Sequence, residues 1–210
     1  MSISGALMVL FAMGHMAGNA SIFAGPAGIN AYAERLASMG ALLWLARIVM
    51  IAALAVHVYI GVALSVKDEA FGPSKYVRRD YIRAGLASRS MIWSGILIAA
   101  FLTYHLMQFT FHASITGTIA PRADADGRKD VLGMVVAGLT RSGVSAFYIV
   151  ALSALALHMM HGIQSMLQTL GLLFERIAGF ARGAGVAIAV IVFLIYISIP
   201  LAVLAGVLGR

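Results

Sequence analysis

The sequence predicts an all-α integral membrane protein, a single domain over residues 1–210 built as a bundle of five transmembrane helices, and three observations carry that expectation. The first is composition: 61% of the 210 residues are hydrophobic and only 11% are charged, against about 25% charged in an ordinary soluble domain. The second is that the apolar residues gather in five runs, each near the ~20 residues needed to cross a hydrocarbon core of ~30 Å. The third is that the Lys and Arg residues behind the net charge of +7 lie at the ends of those runs. Placed there they act as topology signals and form no basic face for nucleic acid. The chain has no cysteine, which excludes disulfides, thiolate-held iron–sulfur clusters and covalently attached c-type haem.

Span I runs from about Met1 to Ala24 and ends at the turn residues Gly25-Pro26. No basic segment precedes its apolar stretch, so a retained first span is expected in place of a cleaved signal. A polar connection, Ala27 to Ser38, leads into span II, about Ala41 to Val66, where Lys67-Asp68-Glu69 marks the water boundary. Span III covers roughly Met91 to Phe111, span IV Val144 to Leu173 and span V Ala184 to Leu208. Lys67, Lys75, Arg78, Arg79, Arg83 and Arg89 crowd the II–III connection, with Arg176 and Arg182 between IV and V. The positive-inside rule puts both connections, and with them the N-terminus, in the cytoplasm. The long III–IV connection, Ala113 to Gly143, then lies outside; its Asp124, Asp126 and Asp130 alternate with Arg122, Arg128 and Lys129.

Of the six histidines, His15, His57, His105, His158 and His161 lie inside apolar runs, while His112 falls at the outer end of span III and is expected to be interfacial. An ionisable side chain at such depth is costly and marks a site or an internal partner. At 1.5 Å rise per residue, His105 lies ~9 Å below the outer surface and His15, on a span of the same direction, at a similar level. His57 and His158, on spans running the other way, fall in the inner third. Depth therefore sorts four histidines into two pairs, His15 with His105 and His57 with His158, about 12 Å apart across the membrane. Facing imidazoles at one depth on different helices are what a six-coordinate b-type haem requires. Zinc would want its ligands gathered at a single level. The competing expectation is histidines that pack helices together or relay protons.

His161 follows His158 by three residues and shares its helix face, with a haem propionate, a quinone or plain packing as its expected role. Arg47, five residues below the outer surface of span II, is placed either to pair with the propionates of the outer haem or to snorkel to the headgroups. Trp44 reads as an interfacial anchor.

Several stretches resemble the five-helix, two-haem cytochrome b membrane-anchor subunit of succinate:quinone oxidoreductases and fumarate reductases. They are Gly14-His15-Met16-Ala17-Gly18-Asn19, Gly25-Pro26 with Asn30-Ala31-Tyr32-Ala33-Glu34, Trp44-Leu45-Ala46-Arg47 and Val56-His57, then Met91-Ile92-Trp93-Ser94-Gly95 before Tyr104-His105-Leu106, and His158-Met159-Met160-His161-Gly162 through Gln168-Thr169-Leu170-Gly171. The similarity covers spans I to IV in order; span V is similar only in being apolar and fifth. The resemblance implies His15 and His105 as axial ligands of the distal haem, and His57 and His158 as those of the proximal one, with His158 favoured over His161. It implies a membrane anchor and electron conduit of succinate dehydrogenase (complex II), working with a flavoprotein subunit and an iron–sulfur subunit in a bacterial inner membrane. It also implies a membrane quinone, menaquinone by preference, and leaves room for a higher oligomer of the complex. Family members usually carry a basic segment before the first span, so the natural start is expected upstream.

For the quinone, the candidates at the cytoplasmic level are Ser4, Arg89, Ser90, Gln164, Ser165 and Gln168, and near the outer haem Asn19, Tyr32 or Arg47; an interfacial polar role is the alternative for each. Two other functions stay open on the residues alone. One is a cytochrome b subunit of a hydrogenase or formate dehydrogenase; the other is a transporter with a histidine proton relay, for which Pro200 in span V is the one internal break.

Overall fold

A computed structural model of the chain describes residues 1–71, 91–113, 116, 122–172 and 178–208, with side chains to residue 66 in the first stretch. The elements in order are α1 (Ser2–Ala20), a 3-10 turn (Ser21–Ala24), α2 (Pro26–Ser38), α3 (Ala41–Phe71), α4 (Met91–Phe109), α5 (Val131–Leu139), α6 (Ser142–Thr169) and α7 (Ala178–Leu204). Among the described residues no strand forms beyond one isolated bridge between Ala123 and Lys129. Helices α1, α3, α4, α6 and α7 are long and apolar enough to cross a membrane. Their large apolar side chains also face outward: Ile3, Leu10, Tyr59 and Trp93 are each 65–75% exposed. Water would not tolerate such a girdle, whereas lipid solvates it. The chain is a multi-pass membrane protein.

Helix α6 is the hub. It packs on α7, α4 and α1, burying Tyr148, Ala151, Leu152, Ala154, Met159 and Ile163. Lipid tails are as apolar as leucine, so helices here are held by close fit and small residues more than by escape from water. Gly185 shows this at the α6–α7 seam, where an added Cβ would sit 2.9 Å from the Ile163 methyl. Gly185→Leu is therefore expected to wedge the two helices apart and lower stability by roughly 1–3 kcal/mol, read as a lower unfolding temperature in detergent. Tyr196 donates its hydroxyl to the Ala12 carbonyl at 2.9 Å and ties α7 to α1. Four residues on, Pro200 lacks the N–H that the Tyr196 carbonyl would otherwise accept. Helix α3 has a different character: it leans on α1 and touches α4 only lightly. Ala53 is its one buried residue among the described side chains.

Two stretches expected as plain connections contain helices. The polar connection 27–38 is α2: Gly25, at φ 71°, makes the turn and Pro26 opens the helix, where its missing N–H costs nothing. The III–IV connection contains α5, whose first turn is capped by Asp130 accepting from the Gly133 N–H at 2.9 Å. Helices α2 and α5 lie against each other at one end of the bundle. Asn30, 1% exposed, joins them: its amide N–H donates to Asp124 at 3.0 Å and its oxygen accepts the Leu132 N–H at 3.0 Å. Burial alone would raise the Asp124 carboxyl. The hydrogen bonds from Asn30, from the Arg128 backbone and guanidinium and from the Asp126 N–H outweigh that and hold it at about 2. Helix ends also differ from the expected span ends, since α3 continues past Val66 to Phe71 and α7 opens at Ala178. Charged residues mark where water begins, and a helix can run on into it.

Candidate functional site

The bundle brings two pairs of imidazoles together. His15 on α1 faces His105 on α4 with ring centroids 6.1 Å apart, and His57 on α3 faces His158 on α6 at 6.2 Å. Both pairs join helices that are distant in sequence. Two imidazoles hydrogen-bonded ring to ring would sit closer. Two imidazoles sharing one metal ion, each nitrogen ~2.0–2.1 Å from it, place their centroids about 6 Å apart.

At His105 the bonding around the ring fixes which nitrogen carries the proton, and at His57 and His158 it is compatible with the same assignment. At His105 the chain of bonds starts from Gly138, whose carbonyl can only accept and takes the Gln108 amide N–H at 3.0 Å. The Gln108 oxygen is then the acceptor for the Tyr148 hydroxyl at 2.7 Å. Tyr148, having given its single proton away, can only accept from His105 Nδ1, 3.2 Å distant. His105 is thus protonated on Nδ1 and offers the Nε2 lone pair.

The other pair admits the same state by a shorter route. Ser94 donates to the Met91 carbonyl at 3.0 Å and Ser4 to the Met1 carbonyl at 2.8 Å, both within their own helix turn. Each hydroxyl is left as an acceptor, Ser94 for His158 Nδ1 at 3.1 Å and Ser4 for His57 Nδ1 at 3.4 Å. Gly95 and Gly5 lie beside these rings: a Cβ at either would sit 3.7 Å and 3.6 Å from the His158 and His57 Cε1 atoms. His15 is held by stacking, its ring 5.4 Å from Phe11 one turn earlier and 10° from parallel.

Three helices measure the spacing of the pairs independently. Ser4 and His15 on α1, Ser94 and His105 on α4, and Tyr148 and His158 on α6 each join one level to the other. Ten or eleven residues separate the members of each, about 15 Å of helix. The sequence estimate of about 12 Å assumed a shared membrane plane for helices whose starts differ. Among the described residues no group of three or more His, Asp or Glu side chains could enclose a metal ion. Two imidazoles from different helices at each level are what a haem would use as its protein ligands. The residues present fit that group at both levels.

The remaining candidates fall in different places. His161 is half-buried one turn from His158, with no hydrogen-bond partner among the described residues. His112, at φ 50°, points Nε2 at the Met134 sulfur 3.3 Å away. Arg47 is exposed, its guanidinium 4.9 Å from the Trp44 ring centre. Asn19 spends its amide on the His15 carbonyl at 2.8 Å, and Tyr32 packs over Gly18. Among the quinone candidates, Ser4 is buried with its hydroxyl engaged twice. Gln164 is half-buried, Ser165 and Gln168 are exposed at the end of α6, and Arg89 and Ser90 lie outside the described residues. So do Lys75, Arg78, Arg79, Arg83 and Arg176, with the side chain of Lys67. Sequence reasoning missed Tyr148 and Gln108. Gln108, an amide inside an apolar run, was the available signal. Compared with known protein families, with curated proteins and with solved structures, the chain has no match.

Proposed function

We propose that the chain is a dihaem cytochrome b that anchors a succinate:quinone oxidoreductase in a bacterial cytoplasmic membrane and carries electrons between its iron–sulfur partner and a membrane quinone. The observation that carries the haem assignment is the pair of imidazole pairs, 6.1 and 6.2 Å between centroids, with the Nδ1 atoms of His57, His105 and His158 already bonded. A ring whose Nδ1 proton is held by an acceptor turns its free nitrogen outward as a ligand of defined orientation. Bound at each level, a haem supplies one-electron exchange.

The chain's own residues do the rest. The four imidazoles grip, the serines and Tyr148 keep the protons on Nδ1, and the apolar helices exclude water. The separation of about 15 Å stacks the two levels along the bundle, so haems held there would supply a path for electrons along it. His57 and His158 form the cytoplasmic level in the topology that the basic II–III connection favours, and that connection is the docking surface for the iron–sulfur protein. His15 and His105 form the outer level. The succinate partner is supported by the motif resemblance across spans I to IV. The same resemblance gives the dicarboxylate chemistry to the flavoprotein, and thiolate ligation of an iron–sulfur cluster belongs to another subunit, since this chain has no cysteine.

The test is a reduced-minus-oxidised spectrum of the purified complex with succinate as donor. Reduction of b-type haem by succinate, with two haems per chain by pyridine haemochrome, is the expected result. A haem-free preparation overturns the cofactor assignment, and a nickel or molybdenum protein co-purifying in place of the flavoprotein overturns the partner.

A further inference from the structure

We propose that Tyr148 is the positioning residue that sets the redox poise of the His15–His105 level, through a buried relay running from His105 to the backbone of α5. The inference rests on the haem assignment above and concerns this chain's own side chains.

The two levels differ in what holds the Nδ1 proton. At the His57–His158 level the acceptors are serines whose own protons return to carbonyls three residues earlier in the same helix. At the other level the acceptor is a phenol, and the chain continues from His105 to Tyr148, to Gln108, to the Gly138 carbonyl, crossing α4, α6 and α5. Gln108 is fully buried and Tyr148 nearly so. In apolar surroundings each bond in such a chain polarises the next, and a missing member leaves its neighbour unpaired at full desolvation cost. Gly138 is shaped to end the relay: a Cβ there would come within 3.0 Å of the Gln108 amide nitrogen and 2.9 Å of the Phe109 ring. A side chain there would push both the amide and the ring out of place.

The chemical consequence has a sign. A polarised acceptor on Nδ1–H pulls the proton outward and makes Nε2 a stronger donor to the metal. Stronger donation favours the oxidised, more positive centre and lowers its potential. Removing the hydroxyl reverses this at one level only.

Tyr148→Phe keeps the ring, which packs edge-on against Phe101 at 4.9 Å and against Phe147. In redox titrations of the haem-loaded protein it is expected to raise the midpoint of one haem component by about the equivalent of a tenfold change in the oxidised-to-reduced ratio, 59 mV for one electron. The second component and the haem content stay unchanged, and low-spin electron paramagnetic resonance signals show both axial ligands still in place. Gln108→Leu, which leaves the hydroxyl beside His105, is expected to move the same component in the same direction by less. Ser94→Ala is expected to move the other one. A Tyr148→Phe protein with both haems bound and both midpoints unmoved, or both moved equally, overturns the proposal while leaving the haem assignment intact. Should Tyr148→Phe lose the haem, Gln108→Leu decides: an upward shift of one component supports the relay, and no shift overturns it. A wild-type protein without haem removes the assignment and this inference together.

Discussion

Replacing His57 or His158 by alanine is expected to remove one and the same haem component and to halve the haem content, while replacing His15 or His105 removes the other. The expectation follows from the centroid separations within each pair and from the levels, which lie about ten residues apart on three helices. Loss of one imidazole leaves its level with a single protein ligand, which no longer holds a six-coordinate haem. His161, one turn from His158, shares its helix and approaches from the wrong direction to stand in for the opposite ligand. Pyridine haemochrome assays of the four variants, with low-temperature spectra to separate the components, are the measurement. If His57→Ala removed the component lost in His15→Ala, the pairing would be wrong. Ser94→Ala should be milder, since loss of a partner behind a ligand weakens metal affinity roughly 10–100-fold without abolishing the site.

Much of this arrangement is legible in the sequence, for identifiable physical reasons. Membrane spans announce themselves because a bilayer demands about 20 apolar residues whatever the neighbours are. Depth pairing works because helix rise is constant and alternate spans reverse direction, so His15 and His105 had to share a level whichever helices touched. What the sequence does not carry is lateral packing. Nothing in the run around Tyr148 says that its hydroxyl meets His105, since tyrosine in an apolar span is as readily an interfacial anchor. Ser4 looks interfacial because it stands at the head of α1, yet it is buried against His57. The short helices α2 and α5 escape a search for spans. Their signals are local: Pro26 at a first helical position, and an aspartate placed to cap Gly133.

Asn30 belongs to that hidden part, and its replacement by aspartate is the other large effect expected. The side chain is 1% exposed and uses both ends, donating to Asp124 and accepting from the Leu132 N–H. Asn30→Ala leaves that N–H without its acceptor and takes one donor from Asp124, a loss of about 1–3 kcal/mol from the unpaired N–H. Asn30→Asp keeps the size and the acceptor but turns the donor into a second carboxylate facing Asp124, with Asp130 also 3.5 Å from the original amide. It should be worse than alanine at neutral pH. The pH dependence separates the two variants. In the wild type the Asp124 carboxyl is held at about 2, so its contribution is fully present above the unfolded value near 3.9 and is lost only as pH falls through about 2. Between pH 7 and 4 the wild type is then flat with respect to this group. In Asn30→Asp, repulsion raises the affinity of the carboxylate pair for one shared proton, so stability should recover as pH falls from 7 toward 4. Unfolding in detergent across that range, with hydrogen exchange at Leu132 as the local probe, measures it. A variant equally unstable at both pH values would show that the asparagine holds α2 to α5 by shape alone.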